Sequence, residues 1–422
     1  MAKITDYSKE ELKQLEKELL VQYDEYVKAG LKLDMSRGKP APSQLDLANG
    51  MLDALDSYTT ESGLDARNYG VLDGLPEMKK IFSDAFGIPA KQIIVGGNAS
   101  LNLMFDAMMR FMVFGTEGYT PWGRLEKVKF LCPAPGYDRH FGITERLGIE
   151  MITVPMTEEG PDMDMVEKLV AEDASVKGIW CVPKYSNPQG ICYSDETVKR
   201  LASMKTAAAD FRIFWDNAYG IHPIFEDVEV LNILEEAKAA GHPNRPLYFA
   251  STSKISFPGA GVSFVAASEE MIAEIKGVMT YQTIGHDKLN QLRHVKFFKD
   301  AQGLKAHMQL LADAMRPKFE MVLNKLEKEL ADTGLLSWTC PKGGYFVAVD
   351  TLDGCAKETV RLVKEAGVVM TGAGATYPYK NDPKDTNIRI APTYPTLDEL
   401  DKAMDIFCLC VKLAGVQKLL SK

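Results

Sequence analysis

From about residue 75 to residue 266, short apolar runs alternate with helical stretches, and that alternation leaves few folds open. The apolar runs are residues 92–95, 129–132, 151–154, 178–182, 213–215, 247–250 and 262–266. Helical patterns such as 75–86 and 101–113 fall between them. Strands that alternate with helices imply parallel pairing, because a parallel connection must cross over a face of the sheet. The expectation is therefore an α/β chain, with a mainly parallel sheet covered by helices on both faces.

The two ends of the chain read differently. Ser8 followed by Glu11 forms a capping box, and Leu12, Leu15 and Leu19 then recur at helical spacing. That helix should end near Gly30, and Ser36-Arg37-Gly38-Lys39-Pro40-Ala41-Pro42 cannot continue it. Long helices return over 269–331, residues 343–349 read as a further strand, and 396–413 as a closing helix. The 422 residues, 46% apolar and 25% charged, suffice for more than one globular core. The expected division is an N-terminal arm with part of a small domain over 1–50, a large domain over 51–300, and the rest of the small domain over 301–422.

Several function classes drop out on composition. A net charge of −9 without a Lys/Arg-rich run disfavours nucleic acid and anionic membrane as partners. No apolar window is long enough to span a bilayer, and the first residues carry no signal-peptide pattern. The 7 cysteines include no C-x-x-C pair and read as reduced thiols; Cys408 and Cys410 lack a nearby His, so no metal site is expected. Gly96-Gly97 does not extend to a dinucleotide fingerprint. A cytoplasmic protein acting on small molecules is the expectation.

Ligands of a parallel α/β sheet bind beyond the carboxyl ends of its strands. Three successive strand candidates each end in a polar cluster: Ser186-Asn187-Pro188-Gln189-Gly190, then Asp216-Asn217-Ala218-Tyr219, then Ser251-Thr252-Ser253-Lys254. A lysine at the edge of a buried pocket can lose its proton and attack a carbonyl to form a Schiff base. A carboxylate beside it can keep a ring nitrogen protonated and make that ring an electron sink. Asn and Tyr side chains can hydrogen-bond a phenolic oxygen, and the serine hydroxyls a phosphate.

These clusters, followed by Arg389 in Asn387-Ile388-Arg389-Ile390-Ala391, resemble in residues and order the core motifs of fold-type I, class I aminotransferases. The Arg-Gly-Lys-Pro at residues 37–40 is similar to a divergent bacterial aspartate aminotransferase subgroup. The resemblance runs from about Ser36 to the C-terminus. It implies the pyridoxal 5′-phosphate transferase fold, with a seven-stranded sheet and a small α+β domain made from both chain ends. It also implies ping-pong transamination between an L-amino acid, aspartate favoured, and 2-oxoglutarate. Lys254 would hold the cofactor as an internal aldimine and move the α-proton, and Asp216 would pair with the pyridinium nitrogen. Asn187 and Tyr219 would reach O3′, and Tyr137 would stack on the ring. Asn98, Ala99, Ser100, Ser251 and Ser253 would cup the phosphate, helped by a helix N-terminus. Tyr69 would reach that phosphate across a homodimer interface. Arg389, with the Gly38 backbone and Asn187, would clamp the α-carboxylate.

One departure matters: no Arg follows Lys254 in Ile255-Ser256-Phe257-Pro258-Gly259-Ala260-Gly261-Val262-Ser263, where the family usually has a phosphate ligand. Hydroxyls and backbone N–H groups would have to substitute. For a second substrate carboxylate the choice is Arg37, ahead of Lys39, Arg124 and Arg139. His222 reads as a satisfied buried histidine. Transamination of an aromatic amino acid or alanine, or a lyase reaction, stays open on the same scaffold. A ligand sensor would need an N-terminal DNA-binding domain, for which there is no room before residue 36.

Overall fold

The computed structural model describes residues 3–421; Met1 and Ala2, at the start of the stretch that carries no signal-peptide pattern, lie outside them, as does Lys422. Ser8 closes its capping box with Glu11 and opens the helix Lys9–Ala29, which Gly30 ends in the left-handed conformation. Strand β1 (Leu33–Asp34) comes next.

The central sheet is made of β2 (Ile93–Val95), β3 (Lys129–Ala134), β4 (Glu150–Thr157), β5 (Gly160–Pro161), β6 (Val176–Cys181), β7 (Arg212–Asp216), β8 (Pro246–Ser251) and β9 (Ser263–Ala266). Their spatial order is β2-β9-β8-β7-β6-β3-β4-β5. Neighbours from β8 through β4 run parallel, while β9 runs antiparallel to both β8 and β2. All seven expected strands are present. The eighth, β5, is a two-residue edge element that pairs with Met156 and Thr157 and was too short to leave a periodic signal.

Alternation along each strand feeds two separate cores. Ile93, Val95, Ile179, Ile213, Trp215 and Phe264 face one of them. Ile94, Trp180, Phe214, Phe249 and Val265 face the other. Because successive side chains point to opposite faces, strands sandwiched between helices are apolar along most of their length. That is why these segments read as mainly hydrophobic runs without a clear alternation.

A third core gathers both chain ends. Leu12, Leu19, Tyr23 and Met35 pack with Phe319, Val322 and Leu326 and with the helix Leu397–Leu420. The helix Ala301–Leu330 contributes to two cores: Leu304, Met308 and Leu311 to the first, Met315 and Phe319 to the third. Beside it lies a sheet of β10 (Leu336–Trp338), β11 (Val347–Thr351) and, beyond β12 (Val368–Val369), β13 (Asn387–Ile390); β12 itself pairs with β1.

One expected strand begins late. Residues 343–349 were read as a strand, but pairing starts only at Val347. Gly344 has φ +84°, and a Cβ on Gly343 would lie 2.4 Å from the His222 carbonyl oxygen. The double glycine presses against the loop after β7 instead of joining the sheet. No helix among the described residues is long and apolar enough to cross a membrane.

Candidate active site

Strands β6, β7 and β8 are adjacent and parallel, so the three polar clusters at their carboxyl ends open on one rim. Asp216 ends β7 with its side chain only 3% exposed; its Oδ2 lies 2.9 Å from His140 Nε2. Its Oδ1 is buried without a hydrogen-bond partner among the described residues. His140 belongs to the helix Asp138–Arg146, where its ring stacks on Trp180 at 4.3 Å between centroids and Tyr137 meets its edge. The result is a carboxylate gripped from one side, with its other oxygen uncommitted.

Lys254 lies in the loop after β8. Its Nζ is 5.1 Å from the ring centre of Tyr219 and 5.7 Å from that of Tyr345. Burial lowers the amine's pKa, Asp216 pulls the other way, and Arg389 adds to the lowering. A buried amine that sheds its proton more readily is what carbonyl attack requires. Tyr345 Oη donates to the Lys254 carbonyl at 3.3 Å and accepts from Gln44 Nε2 at 3.3 Å, tying the lysine's backbone in place. Burial raises the phenols of Tyr219 and Tyr137 well above their usual range, so both remain O–H donors.

At one side of this pocket, Ser251 Oγ donates to Ser253 Oγ at 3.0 Å, and Ser253 Oγ donates to the Asn98 carbonyl at 3.1 Å. Ala99 is the N-cap of the helix Ser100–Val113 and caps none of its first N–H groups with a side chain. The two serine hydroxyls therefore lie beside the start of a helix whose first N–H groups lack a side-chain cap, a combination that suits an anion.

On the other side stands Arg389 in β13. Its Nη1 donates to Asn187 Oδ1 and its Nη2 to Thr371 Oγ1, both at 3.1 Å, while Nε has no hydrogen-bond partner among the described residues. The guanidinium lies over the Phe346 ring. That ring also covers Gly38, where a Cβ would approach Phe346 Cζ to 2.3 Å, so only glycine fits. Gly38, Asn187 and Arg389 therefore share one corner. Asp138 Oδ1 stands 3.5 Å from Arg389 Nη1.

Not every expected residue joins them. Arg37 is exposed, and its guanidinium makes no hydrogen bond or ion pair among the described residues. Lys39 lies over the Tyr394 ring, while Arg124 and Arg139 are exposed. Tyr69 projects outward, 81% exposed. His222 departs from expectation: it is 1% exposed, but neither ring nitrogen makes a well-formed hydrogen bond among the described residues. The Lys254 carbonyl lies nearby, and burial together with Lys254 pushes the imidazole's pKa down to about 3. A cationic ring would be costly there, so it stays neutral. Asp138, Thr371, Tyr345 and the His140 contact to Asp216 went unforeseen. Spacing offered a clue for His140 alone, which lies one helical turn beyond Tyr137.

The donor set suits pyridoxal 5′-phosphate. An uncommitted buried carboxylate oxygen, a desolvated amine and a hydroxyl-lined helix N-terminus match its ring nitrogen, aldehyde and phosphate.

A family profile described as aspartate amino-transferase matches residues 7–422. Aspartate aminotransferase of Corynebacterium glutamicum is 44% identical over 418 residues, covering 98% of this chain and 96% of its own. A solved aspartate transaminase from the same species superposes with a TM-score of 0.97 at 44% identity, over 99% of each chain. The α-aminoadipate aminotransferase of Thermus thermophilus, solved with N-(5′-phosphopyridoxyl)-L-leucine, shares the fold at 21% identity, with a TM-score of 0.74 over 94% of this chain and 95% of its own.

Proposed function

The chain belongs to the aspartate aminotransferase family, and from that premise we propose that it moves the amino group of an L-amino acid, aspartate first, to 2-oxoglutarate. Pyridoxal 5′-phosphate is the proposed cofactor, and the two half-reactions share one site. The observation that carries this reading is a desolvated Lys254 amine in the loop after β8, beside an unpartnered Asp216 oxygen at the end of the neighbouring strand β7.

The cofactor, when bound, supplies an aldehyde and an electron-accepting ring. Lys254 is the residue that anchors it and then carries the α-proton at Nζ, a role favoured by a lowered amine pKa. Asp216 holds a proton on the ring nitrogen through Oδ1, while His140 fixes Oδ2 and so fixes the carboxylate plane. Tyr219 and Asn187 donate to the ring oxygen, Tyr137 covers the ring face, and Ser251, Ser253, Asn98, Ala99 and Ser100 hold the phosphate in place of an arginine. Arg389 and Asn187, beside the Gly38 backbone, orient the α-carboxylate and with it the bond to be broken. The unengaged guanidinium of Arg37, next to Gly38, is assigned to the side-chain carboxylate.

The working form is proposed to be a cytoplasmic homodimer, in which Tyr69, 81% exposed on one copy, reaches the phosphate of the other. The proposed division is a large cofactor-binding domain over 51–300 and a small domain from 1–50 with 301–422. The test is a panel of half-reactions, one amino acid at a time, following the cofactor's absorbance and the product 2-oxo acid. Stoichiometric 2-oxo acid with the cofactor left in its amino form supports transamination. Product release with the cofactor returned as the aldehyde in each case would make the enzyme a lyase.

A further inference from the structure

Arg389 is the cation proposed for the substrate's α-carboxylate, and the chain has already set a carboxylate against it. Asp138 Oδ1 is 3.5 Å from Arg389 Nη1, with the arginine side chain 8% exposed and the aspartate side chain 38%. The other partners of this guanidinium, Asn187 and Thr371, are neutral. Charge-assisted N–H···O bonds close to about 2.7–2.9 Å, so a 3.5 Å pair is loose. Asp138 is also the first residue of the helix Asp138–Arg146, directly after Tyr137. An acid in that first turn is favoured by the helix dipole whether or not Arg389 is near. Its exposure leaves it free to turn toward water.

We propose that Asp138 is a resident counter-ion for Arg389, a residue that sets substrate affinity by competing with the incoming carboxylate. The proposal rests on the reading of Arg389 as the carboxylate anchor. Asp138 does not touch the bond being broken; it acts through the arginine. The α-carboxylate persists from bound substrate to transition state, so the competition weakens both alike. It raises KM and leaves kcat alone. It also keeps the buried guanidinium from standing wholly uncompensated between turnovers.

The test compares Asp138→Asn with wild-type holoenzyme. The substitution keeps the shape and an acceptor oxygen but removes the charge; Asp138→Ser, a smaller neutral polar side chain, repeats the test should the amide misfold. KM for aspartate and for alanine should each fall about tenfold at constant kcat, the scale of one loose charge-assisted contact. The dissociation constant of succinate, an unreactive dicarboxylate, should fall by the same factor. Unchanged or weaker succinate binding, or a loss confined to kcat, overturns the proposal. Arg389→Gln separates the two ideas. If it binds succinate as wild type does, the carboxylate reading of Arg389 fails; if it binds weakly while Asp138→Asn is unaltered, the counter-ion alone fails.

Discussion

Replacing Asp216 with Asn keeps the size of the side chain and one contact to His140, and removes a buried negative charge. The structure predicts opposite effects in the two forms of the protein. Without cofactor, Asp216 Oδ1 is a desolvated oxygen with no partner, and Asn there avoids burying an ion. The cofactor-free variant should melt no lower than wild type. With cofactor, the same oxygen is the proposed acceptor for the ring N–H. Breaking a buried charge pair costs about 3–5 kcal/mol. That corresponds to a loss of roughly two to four orders of magnitude in rate. Lys254 offers a second readout. The Asp216 charge is the influence that raises the amine's pKa against burial and Arg389, so removing it should lower that pKa further. The assay is a single half-turnover with aspartate in a stopped-flow spectrometer. It is paired with the pH dependence of Lys254 acylation in cofactor-free protein and a thermal melt. A half-turnover rate within about tenfold of wild type would refute the assignment. An unmoved Lys254 titration would show that the two groups are not electrostatically coupled.

The remaining expectations concern assembly, substrate and core. Chains inactivated at Lys254 (Lys254→Ala) and at Tyr69 (Tyr69→Phe) should, when mixed, regain one working site per heterodimer; heterodimers formed without recovered activity would rule out the shared site. Arg37→Ala should lower kcat/KM for aspartate by about ten- to a hundredfold, the value of one charge-assisted pair, and spare alanine. Equal losses on both substrates would make Arg37 structural. Asp210 accepts from Lys177 Nζ at 2.6 Å and from Trp122 Nε1 at 2.8 Å in the interior. Asp210→Ala strands both donors and should cost about 3–5 kcal/mol in chemical denaturation; a loss under about 1 kcal/mol would mean that water replaces the carboxylate.

What the sequence by itself determined was the local grammar. The runs 92–95, 178–182 and 213–215 were legible as strands because apolar and β-branched residues dominate each, and the observed strands Ile93–Val95, Val176–Cys181 and Arg212–Asp216 are built around them. Ser8 and Thr396 begin helices because each caps an N–H three residues on and receives a glutamate in return. Lys254, Asp216, Asn187 and Tyr219 were legible because the strands of a parallel sheet bring the residues at their carboxyl ends to a common rim. The tertiary structure alone decided the rest, since those contacts join segments with no shared period. Arg389 meets Asn187 from 202 residues away, and Tyr345 meets Lys254 from 91. Gly344 breaks an apparent strand by turning to φ +84°, where Tyr185 leaves no space for a side chain. Asp138 is locally an ordinary acid in the first turn of a helix. Only the fold brings β13 across to that helix and turns the acid toward an arginine, because the cost of a buried guanidinium is set by whichever groups the packing leaves around it.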